Sequence, residues 1–436
     1  MPARHPGSVA AIVTACLVCT STSGAAQELT LANALSLAKR HNEIPRIAAQ
    51  RVVQARAARR QAYAALLPTL LFSTGYRHGT RSVVSVTESQ IPGGSRDTVT
   101  ANGRVDLALL DATAFPRIAA AAHALDAAEH DALEVQRTLQ LDVAEAFFAV
   151  LTAEQVTRAA AQRVEVASIE ARAAERRLEA GLVGRNDLTR AELEREAARL
   201  QALETQNALA QTRLGLGFLI GTELPERLQP PEGPVVMELR EPALTASALQ
   251  ARQDVRAMRA RVREADALRD EPWLGLVPRI DASGIASSSE ALGDDLRSTD
   301  WTLAVTATWI AYDGGVRYAQ AAARSAELRA LQAELDTLGR QVRFEIRTAL
   351  TDLTTASDAI DVAQARLHAA ERNLQEVRAR FERGLVGALA MADASEQAYL
   401  AAAELAGQRF SLRLAELDLL RATGHWPLEA RGKASP

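Results

Sequence analysis

The sequence has little cysteine, and both of its cysteines come early. Cys16 and Cys19 are the only two in the chain, and they lie in an N-terminal segment with the features of a secretory leader. We expect residues 1–26 to be a signal peptide cleaved after Ala26, which leaves no thiol for a disulfide or a thiolate metal site. The alternative is a lipoprotein leader, in which Val13-Thr-Ala-Cys16 is the cleavage box and Cys16 is lipidated.

Long apolar runs and aromatic residues are scarce beyond the leader. No later segment offers the roughly 20 uninterrupted apolar residues of a spanning helix, so a membrane-inserted part would have to consist of strands. Aromatic residues make up 4% of the chain and hydrophobic residues 48%, a balance typical of long alanine-rich helices. The formal net charge is −4 and no basic stripe is present, so the sequence predicts no nucleic-acid partner.

Patterns typical of catalysis or metal binding are also missing. None of the seven histidines lies three or four residues from another. His123 and His130 are two helical turns apart, too far to share an ion without other ligands. The glycines of Gly215-Leu-Gly-Phe-Leu-Ile-Gly221 end a helix and do not follow a strand, which argues against a dinucleotide loop. We therefore predict that the protein is not an enzyme and has no cofactor or metal site.

Proline is absent from two long stretches, between Pro116 and Pro225 and between Pro278 and Pro427. An interior proline would interrupt a helix. Within both stretches apolar residues recur every seven positions, with a second apolar seam three residues earlier, as in the a and d positions of a coiled coil. The runs from Ile118 to Gly181 and from Ala321 to Gly384 each predict a helix about 95 Å long.

The two runs belong to an internal repeat. Arg177-Leu-Glu-Ala-Gly-Leu-Val-Gly184 returns as Arg380-Phe-Glu-Arg-Gly-Leu-Val-Gly387, 203 positions later, and Gly221 and Gly424 are separated by the same 203 positions. Each Gly-Leu-Val-Gly predicts the turn of a helical hairpin, because glycine tolerates the left-handed conformation that ends a helix. We expect the descending helices to span 185–220 and 388–423.

The period changes from seven to two in the segments 69–110 and 279–310, which predict two strand hairpins with one apolar and one polar face. Their loops are expected at about 78–98 and 288–298. Trp301 and Trp309 share a face, eight residues apart, and are candidates for a membrane aromatic girdle; the alternative is that one of them packs against a helix. Four strands cannot close a barrel, because single-chain membrane barrels start at about eight. Several chains must therefore contribute.

The chain resembles the TolC-like family of outer membrane efflux proteins. The segments that carry the likeness are Leu29-Thr-Leu31 with Ala34-Leu35, Ala65-Leu-Leu-Pro68, Tyr312-Asp-Gly-Gly315 and Gly181-Leu-Val-Gly-x-x-Asp187. The resemblance implies a mainly α fold with membrane β: a homotrimer whose twelve-stranded outer membrane barrel continues into a long periplasmic barrel of coiled-coil helices.

The same resemblance implies a domain order with two internal repeats per chain. The first repeat covers 27–224, a proline-rich linker at the equator of the tunnel covers 225–242, the second repeat covers 243–426, and 427–436 form a tail. A short helix, expected at about 32–66 and 243–271, precedes the strands of each repeat.

By resemblance, the hairpin tips meet a periplasmic adaptor protein. The residues given this role are Gly181, Leu182, Val183, Gly184, Gly384, Leu385, Val386 and Gly387. Asp187 and Asp393 are placed at the aperture, where Ala390 stands in place of a second carboxylate and Val386 in place of a basic latch. No strong cation site is expected there.

The function implied is the outer membrane channel of a tripartite efflux pump, in the outer membrane and extending into the periplasm. Its implied partners are an inner membrane pump, a periplasmic adaptor and outer membrane lipids. Two alternatives remain: the outer membrane component of a type I protein secretion system, and a periplasmic coiled-coil structural protein that forms no channel. The residues do not indicate the transported substrate.

Overall fold

The computed structural model describes residues 28–80, 95–225, 227–231, 241–292 and 297–425. The predicted signal peptide, the lipidation alternative at Cys16, the tail 427–436 and most of the linker 225–242 lie outside these residues. Within the described residues, no helix has the length and apolar composition needed to cross a membrane.

Each half of the chain has short helices, a strand hairpin and a long helical hairpin, in that order. The first half has α1 (Leu31–His41), α2 (Glu43–Ala64), β1 (Thr69–Thr80), β2 (Ser95–Leu110), α3 (Ala114–Glu179) and α4 (Arg185–Ile220). The second has α5 (Glu241–Ala251), α6 (Gln253–Arg269), α7 (Glu271–Leu274), β3 (Arg279–Leu292), β4 (Arg297–Thr308), α8 (Val316–Glu382) and α9 (Ala388–Thr423).

The short helices are interrupted where single helices were expected. Asn42 ends α1 and starts α2: its side-chain oxygen accepts the Ile44 amide at 2.8 Å, and its side-chain nitrogen donates to the Leu219 carbonyl at 2.8 Å. Arg252 separates α5 from α6 and forms ion pairs with Asp254 and Glu345. Both breaks are caused by side-chain partners at the break itself, which a helical period does not reveal.

The strands form one antiparallel sheet in the order β1-β2-β3-β4. They extend further into the loop regions than expected, because serine, threonine and glycine there still pair through the backbone. Phe72 lies opposite Gly103, Gly103 opposite Ala286, and Ala286 opposite Trp301. The next row, on the other face, contains Ser73, Asn102, Ser287 and Asp300. The sheet therefore has an apolar face and a polar face.

The helices pack mainly through small residues, and the larger buried side chains gather at the middle of the bundle. There, Leu35 of α1, Phe147 of α3 and Leu216 and Ile220 of α4 are fully buried in one cluster. A second cluster in the other half contains Val255, Val342 and Ile346. Alanine fills much of the remaining seam.

Candidate functional site: the paired hairpin tips

The first tip is closed by a specific backbone turn at the end of α3. Gly181 has a φ of 63°. The Leu182 amide donates to the Arg177 carbonyl at 2.8 Å, and the Gly181 amide donates to the Leu178 carbonyl at 3.0 Å. These two bonds are the Schellman motif, which satisfies carbonyls that the helix end would leave unpaired.

The second tip repeats this turn at the end of α8. Gly384 has a φ of 75°, the Leu385 amide donates to the Arg380 carbonyl at 2.9 Å, and the Gly384 amide donates to the Phe381 carbonyl at 2.9 Å. A side chain at either glycine would be strained in this left-handed backbone. Gly181 and Gly384 are thus the residues at which the chain leaves each long helix.

The descending helices start differently in the two halves. In the first, the Gly184 amide donates to the Asp187 carboxylate at 3.2 Å, and the negative charge lies in the first turn of α4, where the helix dipole favours it. In the second, Ala390 occupies the position of Asp187 and offers no acceptor to Gly387. Asp393 lies one turn further along α9 and is exposed. Asp187 therefore caps the N-terminus of α4.

The two tips pack against each other within one chain. Their shared core consists of Ala171, Ala174, Ala191, Phe381, Ala388 and Met391. The Arg177 guanidinium lies 4.4 Å from the centre of the Phe381 ring and donates to the Phe381 carbonyl at 2.5 Å. Sequence reasoning missed this contact, since Arg177 and Phe381 lie in different repeats. The only sequence signal was that both belong to the repeated motif.

Leucine side chains project from both turns. Leu182 is 75% exposed and Leu385 is 69% exposed, whereas Val386 packs against the shared core of the tips. Each tip therefore presents one large apolar side chain to solvent, and both leucines line the same cleft between the tips. Contiguous exposed apolar surface of this kind is typical of a protein contact.

Buried charges lie about three to five helical turns from the tips. Arg163 pairs with Glu194 at 2.7 Å, and its guanidinium lies 5.7 Å from the ring centre of Tyr399 on α9. Glu170 is 6% exposed, and its Oε1 has no hydrogen-bond partner among the residues that the structure describes. Burial, together with the nearby Glu194, raises the pKa of Glu170 to about 7, while Arg378 acts in the opposite direction. The heptad pattern does not reveal that this glutamate is buried.

The two tryptophans proposed for the girdle are both exposed and have different surroundings. Trp301 lies within β4, on the apolar face of the sheet. Trp309 follows the last residue of β4, and its indole nitrogen donates to the Leu276 carbonyl at 3.1 Å. Trp309 is therefore anchored to the segment that joins α7 to β3.

A family model described as "Outer membrane efflux protein" matches residues 34–222 and 244–425, and so covers both repeats. The chain belongs to the outer membrane efflux protein family. This confirms the resemblance to TolC-like channels. The protein is thus an outer membrane protein that extends into the periplasm, and its family is one of transport channels.

Solved structures with the same fold cover nearly the whole chain. The outer-membrane channel OprN is 20% identical, with 90% of this chain and 89% of that chain covered at a TM-score of 0.77. The Campylobacter jejuni CmeC outer membrane channel is 16% identical, with 90% and 85% covered at 0.79. VceC from Vibrio cholerae is 17% identical, with 91% and 96% covered at 0.75. No curated protein sequence matches the chain significantly. At these identities the likeness concerns the fold.

Proposed function

We propose that this chain is one protomer of a homotrimeric efflux channel. Three copies would combine their sheets into a twelve-stranded barrel in the outer membrane and their long helices into one periplasmic tunnel. The helical hairpins would conduct substrate from an inner membrane pump and its periplasmic adaptor to the barrel. Membership of the efflux family supports this role.

The observation that carries the proposal is the four-stranded sheet. Its outer strands β1 and β4 each have one edge without a strand partner among the described residues. Leu70, Phe72, Trp301 and Leu303 are exposed on its apolar face. An open edge beside an exposed apolar face is unfavourable in water and invites aggregation. Pairing β4 of one copy with β1 of the next would satisfy the edges, and outer membrane lipids would cover the apolar face, with Trp301 and Trp309 in the girdle.

The hairpin tips are proposed as the adaptor contact. Leu182 and Leu385 would insert into the partner, while Gly181, Gly184, Gly384 and Gly387 shape the turns and Val183 and Val386 support them. Asp187 and Asp393 would lie at the aperture between the tips. The linker 225–242 would lie at the equator of the tunnel, beside the middle of α3, where Leu228 belongs to the cluster of Leu35 and Phe147.

Assembly and location test the proposal together. The full-length chain, expressed in a bacterial host that lacks its own efflux channel, should appear in the outer membrane fraction and resist extraction without detergent. In detergent, light scattering should give a protein mass of three chains, and unheated gel samples should migrate as heat-modifiable trimers. Drug or metal-ion tolerance of the host should rise when the matching pump and adaptor are co-expressed.

A substitution on the barrel edge tests whether strand pairing holds the trimer together. Val305→Pro places proline on β4, where it prevents backbone pairing, and trimers should be lost. A soluble periplasmic pool, or a monodisperse monomer of the unmodified chain in detergent, would contradict the channel and favour a coiled-coil protein that forms no channel.

A further inference from the structure

The helix that leads into the first strand hairpin has an excess of positive charge. α2 contains five arginines and one acidic residue, Glu43 in its first turn. The helix at the same place in the second repeat, α6, also contains five arginines, but it has acidic partners for them. Arg261 pairs with Asp131 at 2.5 Å, and Arg269 pairs with Asp270 at 2.8 Å. The uncompensated charge is therefore a property of α2 and not of the repeat.

Three of the arginines lie together with a tyrosine in the last two turns of α2. Arg56, Arg60 and Tyr63 are spaced i, i+4 and i+7, so they share one face of the helix. The Arg59 guanidinium lies beside them, 5.9 Å from the centre of the Tyr63 ring. All four residues are exposed. We refer to Arg56, Arg59 and Arg60 as the arginine cluster.

Most of the charge of the arginine cluster has no counter-ion. The Arg56 guanidinium lies 3.5 Å from the Glu129 carboxylate of α3, and both side chains are about half exposed. Among the residues that the structure describes, Arg59 and Arg60 have no carboxylate within ion-pair distance. Adjacent guanidinium groups without a counter-ion are well suited to bind an external anion, above all a phosphate.

The arginine cluster lies next to the surface that we assign to the membrane. Arg60 is four residues from the end of α2, which is about 6 Å along the helix axis. The chain then continues through exposed Leu67 into β1, where Leu70 and Phe72 are exposed on the apolar face of the sheet. Arginine together with Tyr63 at the boundary of an apolar surface is typical of the interface between water and a membrane.

We propose that the arginine cluster binds the headgroup of an anionic phospholipid, such as phosphatidylglycerol, in the periplasmic leaflet of the outer membrane. Arg59 and Arg60 donate to the phosphate oxygens, and Tyr63 provides the aromatic surface beside them. This inference rests on the proposed barrel, because it requires β1 to lie in the membrane. It adds the class of lipid and the residues that bind it. Each copy has one such site, at the periplasmic end of its first strand hairpin.

Lipid binding by the purified channel tests the site. The full-length chain is transferred into a neutral detergent with either phosphatidylglycerol or phosphatidylethanolamine, and bound lipid is counted by native mass spectrometry. Phosphatidylethanolamine contains the same phosphate but has no net charge, so the unmodified channel should prefer phosphatidylglycerol. Arg59→Gln combined with Arg60→Gln should weaken phosphatidylglycerol binding roughly 25-fold, because each arginine near an anionic surface changes the affinity about fivefold. The preference should also decrease at high salt.

Arg46→Gln combined with Arg51→Gln is the matched control. Both arginines are exposed on the same helix, and Arg51 lies about 13 Å further from the sheet than Arg60. This variant removes the same charge and should keep the affinity for phosphatidylglycerol. Equal losses in the two variants would mean that only the net charge of the protein matters, and this result would overturn the site.

Two other outcomes would also overturn the site. One is unchanged phosphatidylglycerol binding in the variant of Arg59 and Arg60. The other is unchanged lipid binding together with altered ion selectivity in single-channel recordings, which would place these arginines on the tunnel wall. Light scattering in detergent and membrane fractionation are carried out first on every variant. A monomer, or a soluble periplasmic pool, of the unmodified chain would refute the channel itself, whereas trimers that do not prefer the anionic lipid refute only the lipid site.

Discussion

At the scale of a single residue, Glu170 is one of the few charged side chains buried in a seam filled mainly by apolar residues. It lines a small cavity between the two hairpins, together with Arg177, Arg378 and Glu382. Its counterpart in the second repeat is Asn373, a shorter side chain without a charge. The pKa of Glu170, raised to about 7 by burial and by Glu194, implies that the folded protein holds a proton there that the unfolded chain releases.

The packing of the two hairpins should therefore depend on pH. A carboxylate with a raised pKa in the folded state contributes stability that is present below its unfolded pKa and is lost as the pH rises toward the folded value. We expect thermal stability to fall between about pH 4.5 and pH 7 by up to about 3 kcal/mol. Glu170→Gln should remove this dependence and raise the unfolding temperature at pH 8, as measured by circular dichroism.

Glu165→Gln is the matched control, because Glu165 lies on the same helix and is exposed. It should unfold like the unmodified protein at every pH. Equal pH profiles for the unmodified protein and Glu170→Gln would mean that Glu170 is hydrated in solution and exerts no such effect.

At the scale of elements, the helical hairpin is the unit in which sequence and structure agree best. The observed α4 and α9 span 185–220 and 388–423, because glycine turns and a seven-residue period leave little freedom in placing their ends. The breaks at Asn42 and Arg252 were not predicted, because each is held in part by a partner far away in sequence, Leu219 for Asn42 and Glu345 for Arg252. The same holds for the contact of Arg177 with Phe381 and for the burial of Glu170.

The hairpin tips provide a prediction about function. Leu182→Asp combined with Leu385→Asp should abolish efflux in a drug-accumulation assay, because charged side chains would have to be buried in the adaptor contact. The trimer should persist, since both residues are exposed and surface substitutions change the free energy of unfolding by about 0.5 kcal/mol or less.

Leu193→Asp combined with Leu400→Asp serves as the control, because these leucines are exposed on α4 and α9 away from the turns. Efflux should be retained in that variant. Normal efflux in the tip variant would place the adaptor contact elsewhere on the helices.

At the scale of the whole assembly, three copies would bring three Asp393 side chains together near the tunnel axis. Like charges in a narrow ring repel one another, and a bound cation offsets that repulsion. Ala390 removes the second carboxylate of each copy, and Asp187 is used in capping α4. We therefore expect weak block of conductance by divalent cations and little change on Asp393→Asn, in single-channel recordings from planar bilayers.

Ala390→Asp is the variant to compare with Asp393→Asn. It adds a second ring of three carboxylates and should strengthen the block by divalent cations. Strong block in the unmodified channel that disappears in Asp393→Asn would show that a single ring is sufficient.

The equal spacing of the two repeats also limits how the molecule can change in length. Gly181 and Gly221 are separated by the same number of residues as Gly384 and Gly424, and α4 and α9 each have 36 residues. A seven-residue insertion in α8 and another in α9 would lower one tip by about 10 Å relative to the other. Arg177 could then no longer reach the Phe381 carbonyl. To keep the tips level, a longer or shorter chain must add or remove whole heptads in α3, α4, α8 and α9 together. The distance that the helices span across the periplasm therefore cannot change by small steps.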